Sequence, residues 1–235
     1  TDGSAPGAIA GSPGFDLGAW TESTGISETN AAVFWMDPSQ GPGGTDIVMA
    51  QMTLSAADAA SGSASALLQG RVAGSGEDWR DSAMWTWEVD GPPPTPPPPP
   101  TPPPPPTPPP PPSQTGIVTG VTVVSSDGIP GMTTVRLTVS LEATQENVYA
   151  MAGNSVTAMA FPPAYQVAAP FGADIGGINP MLIPAMATAE FDSYLTIGVT
   201  DGSAPGAIAG SPGFDLGAWT ETTGISETDA AIFYM

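Results

Sequence analysis

The side chains able to take part in chemistry are of few kinds: 23 Asp and Glu, a large number of hydroxyls and 3 arginines, with no Lys, His or Cys. The usual general bases and activated nucleophiles are therefore missing, and no Gly-x-Ser-x-Gly elbow occurs. A pair of carboxylates could still hydrolyse a glycoside. Asp174, Glu190 and Asp192 are the candidates, because Phe171, Phe191 and Tyr194 stand close to them in sequence. Solvated acids of a loop or a strand face are the plainer account, and no catalytic residue is expected. A hard cation such as Ca2+ wants several oxygens, which residues 37–46 and 174–179 offer as carboxylates and carbonyls. Neither stretch has the spacing of a ligand motif, so ordinary surface charge is the simpler explanation and no cofactor or metal site is expected. The absence of cysteine removes disulfides and thiolate metal sites together.

A second pattern is a spacing of hydroxyls. Residues 91–112 read GPPPTPPPPPTPPPPPTPPPPP. Proline fixes φ, removes the backbone donor and pushes its predecessor to extended geometry, so the run predicts a polyproline II rod. Its 21 residues, 92–112, would span roughly 65 Å at about 3.1 Å each. Thr95, Thr101 and Thr107 recur every six residues, which is two turns of a helix with three residues per turn, so their hydroxyls line one edge. Asn30, Asn147, Asn154 and Asn179 are followed two positions later by Ala32, Tyr149, Val156 and Met181, so no N-glycan sequon occurs. Any sugar would be O-linked.

Prolines in runs broken by Thr or Ser resemble the hydroxyproline-rich glycoproteins of plant and green-algal walls, of the extensin and pherophorin type. The resemblance rests on residues 92–112, with Thr standing where the extensin pattern has Ser. It implies hydroxylated prolines carrying O-linked sugar. The positions it points to are Pro93, Pro94, Thr95, Pro96, Pro97, Pro98, Pro99, Pro100, Thr101, Pro102, Pro103, Pro104, Pro105, Pro106, Thr107, Pro108, Pro109, Pro110, Pro111 and Pro112. The remainder, with phrases such as FDSYLTIG (191–198), AAVFWMDP (31–38) and QGR (69–71), is similar to uncharacterised secreted repeat modules of algae and protists, a resemblance that implies no activity. A bare spacer is the plainer role for the rod. As a ligand for proline-binding domains it lacks the basic residue they want beside PxxP.

The elements around the rod read as strands. The chain is 40% apolar and 11% charged, which is not a disordered composition. Apolar residues alternate over 46–54, 66–72, 84–89, 117–124 and 133–141. Shorter strands are predicted over 15–20, 31–36, 147–151, 155–161 and 190–199, with loop over 56–66, where Ala-rich composition also allows a helical turn, and a long ordered loop over 161–184. Trp20, Trp35, Trp79, Trp85, Trp87 and Trp219 could stack on sugar, but at strand spacing they read as core. Arg71 and Arg80 are expected to pair with Glu77, Asp78 or Asp81. No sustained helical period exists, and the fold class is all-β, an Ig-like β-sandwich module joined by the rod.

The whole is repetitive. Residues 200–235 repeat residues 1–36 at an offset of 199, differing only at Ser23/Thr222, Asn30/Asp229, Val33/Ile232 and Trp35/Tyr234. The sequence starts inside a unit, so it reads as a window on a longer tandem array. The expected division is 1–91 as the C-terminal part of one module, 92–112 as the rod, and 113–235 as the N-terminal part of the next. A net charge of −20 excludes nucleic acid as a partner. No run of 18 apolar residues suits a membrane helix. The expectation is an extracellular, cell-surface structural glycoprotein whose partners are glycans and itself, as a helical homopolymer or fibril. Residues 117–124 or 31–36 are candidates to donate a strand between modules. The alternatives are a carbohydrate-binding adhesin with a proline-rich stalk and a wall-modifying glycosidase.

Overall fold

The computed structural model describes residues 9–11, 33–35, 38–88, 116–203 and 206–235. The rod, with every candidate sugar position on it, lies outside the described residues. So does most of the first 36-residue copy, including the 15–20 strand expectation. In chain order the strands are β1 (Ile9–Gly11), β2 (Val33–Trp35), β3 (Ile47–Ser55), β4 (Ser61–Arg71), β5 (Asp78–Glu88), β6 (Val118–Ser125) and β7 (Met132–Ser140). They continue as β8 (Ala150–Ala152), β9 (Met159–Phe161), β10 (Tyr194–Leu195), β11 (Ile208–Gly210), β12 (Ile225–Glu227) and β13 (Ala231–Tyr234). One short helix, α1 (Ala56–Ala60), is capped by the Ser55 hydroxyl, which accepts from Asp58 N–H. The fold is all-β, with the strands paired antiparallel.

One sheet has the order β10-β3-β7-β6, and the other β11-β13-β8-β4-β9-β12 with β5 on the free side of β4. Strands from either side of 89–115 share both sheets: β3 pairs with β7, and β4 with β8 and β9. A single buried cluster spans the two sheets, joining Met49, Met52 and Leu54 of β3 and Leu137 of β7 to Leu68, Trp85 and Met159. Trp85 also ties the sheets by donating its indole N–H to Thr138 O at 2.8 Å. Burying that ring satisfies its one polar atom at the same time.

The alternation of β5 places Trp79, Ala83, Trp85 and Trp87 inward, with Met84, Thr86 and Glu88 outward. Its partner explains why 61–66 does not announce itself as strand. Small residues of β4 lie opposite the tryptophans, Gly62 against Trp87, Ala64 against Trp85 and Gly70 against Trp79. A methyl group at Gly62 would sit 2.4 Å from the Trp87 ring. The composition that looked like loop is what the indoles of Trp85 and Trp87 need beneath them.

Two further expectations change. Residues 190–199 are not one strand: a 3-10 turn, Ala187–Phe191, precedes the two-residue β10. The Gln51 amide takes the carbonyls of Glu190 and Asp192, both at 3.0 Å, and this draws the chain out of the sheet line. In the second copy, the counterpart of 15–20 is a 3-10 turn over Leu216–Ala218, which swings the buried Trp219 so that its N–H reaches Pro162 O at 2.7 Å. Arg71 pairs with Asp78 at 3.0 Å, whereas Arg80 donates to the Gln69 side chain. Among the described residues no helix is long and apolar enough to cross a membrane.

Candidate functional site

Of the acids singled out by sequence, Asp174 lies near Asp192, which serves as an anchor, while Glu190 takes part through its backbone. Asp192 is fully buried, its carboxylate accepting Val167 N–H at 2.7 Å and Ala173 N–H at 2.8 Å. It thereby closes residues 167–192 into a loop with its own small core of Val167, Ile178, Ala189 and Tyr194. Burial pushes the Asp192 carboxyl up to about 6, against the pull of backbone N–H groups, and the charge of nearby Asp174 pushes the same way. Burial raises Asp174 as well. Glu190 contributes its backbone carbonyl to Gln51, whose own carbonyl accepts from Arg136 at 3.1 Å. The Asp192 carboxylate closes the loop, and the carbonyls of Glu190 and Asp192 hold it to Gln51 of β3. Among the described residues no three His, Cys, Asp or Glu side chains gather as a metal site.

The indoles are similarly committed: Trp79, Trp85, Trp87 and Trp219 are all buried. A groove of about 430 Å³ runs between β5 and β6, lined by Thr86, Trp87, Glu88, Thr119, Val121, Val123 and Val135. It opens beside Glu88, the last described residue before the proline run. The first of the two donor candidates, 117–124, forms β6 and is already laddered to β7 from Val118 to Ser125. Its other side is a sheet edge.

The arrangement with the most specific geometry is the seat of the second 36-residue copy. β13 lies on β8 with Ala231 opposite Ala152, Ile232 opposite Met151 and Phe233 opposite Ala150. β12 lies on β9, with Ile225 opposite Phe161. Ser211 locks the copy internally, its N–H donating to Ala231 O at 2.7 Å and its hydroxyl accepting Ala231 N–H. The seat is cut close: a Cβ on Gly153 would come 1.9 Å from Glu227 O, and one on Gly224 2.4 Å from Phe161 O. Sequence reasoning found the repeated segment but not its seat, because the strands that receive it carry no local signal of what they pair with.

No family model, curated protein or solved structure matches this chain.

Proposed function

We propose that the protein is an extracellular structural glycoprotein, built from Ig-like β-sandwich modules and polyproline rods, that assembles into a fibril. The observation that carries this reading is residues 92–112: proline broken only by Thr95, Thr101 and Thr107 at every sixth position, inside a chain that repeats 36 residues almost unchanged. Repetition supports assembly, since identical units present the same contact at every junction and a contact that does not close on itself generates a filament. The charge of −20 supports a solvated exterior that keeps neighbouring fibres apart.

The connection around the rod supports its role as a joint between modules. Ile117 N–H reaches the Asp81 carboxylate and the Thr119 hydroxyl reaches Met84 O, so β6 starts beside the first half of β5 and runs the same way. Glu88 and the level of Asp81 are thus about 23 Å apart, counting seven residues at about 3.3 Å. A straight rod of roughly 65 Å, with about 10 Å of extended chain at each end, overshoots that gap by a wide margin. It suits a connection from one globule to the next.

The adhesin reading is weaker, because Trp79, Trp85, Trp87 and Trp219 are buried and so are not free to stack on sugar. The test is the mass of the proline-run peptide released from protein taken from its source. Added oxygen on the prolines together with pentose or hexose increments is the expected result. An unmodified peptide removes the glycoprotein reading and leaves a spacer.

A further inference from the structure

We infer that residues 1–36 and residues 200–235 are alternative occupants of one seat on β8 and β9, and that the first copy seated there runs on without a break into β3. This deepens the fibril reading by naming an acceptor for strand donation, although its geometry stands without that reading.

The path along β8 carries the argument. β13 descends it from Ala231 opposite Ala152 to Tyr234, whose N–H donates to Tyr149 O at 2.9 Å. The lane does not stop there. Val148 N–H donates to Pro42 O, Gly43 packs on Glu146 O and Leu141 N–H donates to Gly44 O. Pro38, buried, accepts from the Asn147 side chain at 2.8 Å. The segment 38–44 therefore takes over the same neighbour, in the same direction, where β13 leaves off. Two pieces of chain almost 200 positions apart make one continuous lane. In sequence, however, the residue that precedes Pro38 by three is Trp35, the counterpart of Tyr234. Seating the first copy makes that lane covalently continuous.

The first copy has what the seat requires. Its hairpin already has the register of the second: Ile9 opposite Trp35, Ala10 opposite Phe34 and Gly11 opposite Val33, against Ile208 with Tyr234, Ala209 with Phe233 and Gly210 with Ile232. Beyond β2 this hairpin has no strand partner among the described residues. The groups that fix the second copy recur in the first at the same spacing: Ser12 for Ser211, Trp20 for Trp219, Gly25 for Gly224 and Ala32 for Ala231. Of the four differences, Thr222 and Asp229 are exposed, Tyr234 is half-buried, and Val33 for Ile232 removes one methylene group from the core. Where the second copy holds the seat of its own chain, the first can fill the seat of a second copy of this chain.

The test uses the full chain, which has no cysteine of its own. Ala231 and Ala152 face each other beside the bond from Gly153 N–H to Ala230 O, as a pair without mutual hydrogen bonds, the closer of the two antiparallel spacings. Ala152→Cys with Ala231→Cys should oxidise to a disulfide and is the positive control. Ala152→Cys with Ala32→Cys is then placed in a background of Ile232→Asp, which puts a charge where the second copy is fully buried. The expected result is the disulfide to the first copy, within one chain or between two as read on a non-reducing gel, and a cooperative melt lowered by only a few degrees. Adding Val33→Asp should abolish both. If the Ala32→Cys pair stays reduced and Ile232→Asp alone melts as poorly as the double variant, the inference is overturned. Exchange between copies in a protein that never forms fibrils upholds the inference and removes the fibril reading.

Discussion

At the scale of single residues, the buried carboxylate of Asp192, which accepts two backbone N–H groups, is the most consequential polar group. Its folded pKa of about 6 exceeds the ordinary carboxylate value of about 4, so between those values the folded chain binds a proton that the unfolded chain does not. The sign follows: this group favours the fold at the acid end and its contribution falls as the pH rises through about 6, by about 1 to 3 kcal/mol in all. Denaturant unfolding at the two ends of that range should find the chain more stable at the acid end. Other acids contribute in a chain this charged, so the informative comparison is Asp192→Asn, which cannot titrate and should flatten the profile. An unchanged profile would remove Asp192 as its source. The same variant sets an amide N–H against a backbone donor from Val167 or Ala173 and should cost about 1 to 3 kcal/mol above pH 7. The acids beside aromatic residues were visible in the sequence as a group. That Asp192 is wholly buried and Glu190 acts through its carbonyl was not, because both follow from Gln51 of β3, about 140 residues away.

At the scale of elements, the alternation of the long strands could be read locally, while what depended on a partner could not. The face of β5 carrying Trp85 and Trp87 and the face of β7 carrying Val135, Leu137 and Val139 follow from alternation alone. The first half of β4 was hidden because its role is to be small beneath those indoles, and smallness without periodicity reads as loop. The two outermost strands, β5 and β6, lie side by side and expose Met84, Val118, Val123 and Val124, with Val118 57% exposed. Apolar side chains on adjacent free edges invite association. Replacing Val118 and Val124 by Thr tests this without altering net charge, because Thr is close to isosteric and β-branched. Thermal stability should change by less than about 0.5 kcal/mol for each surface position. Self-association read by sedimentation should weaken, and equal association would show that this edge is not a contact.

At the scale of the whole molecule, the rod proposed from the proline run of residues 92–112 bears on which halves of a globule meet. Strands before and after the rod complete each other's sheets, so β3, β4 and β5 need β6 to β13 from some chain. A flexible linker of the same 27 residues, 89–115, has a root-mean-square span of roughly 29 Å, close to the gap of about 23 Å, and closes on its own globule with little loss. A polyproline rod has a preferred length of roughly 65 Å and must bend sharply to do the same. Pairing with the complementary half of another copy relieves that bend, and the contacts formed are identical. On the fibril reading proposed above, such a rod would convert an intramolecular fold into an intermolecular one, each exchange extending a chain of globules by about one rod length. In light scattering after size separation, the native chain should run as dimers and larger species. A variant with residues 92–112 replaced by Gly and Ser at equal length should run as a monomer with the same strand content. If the native chain is itself a monomer at every concentration, the rod bends back on its own globule and cannot be the joint between modules.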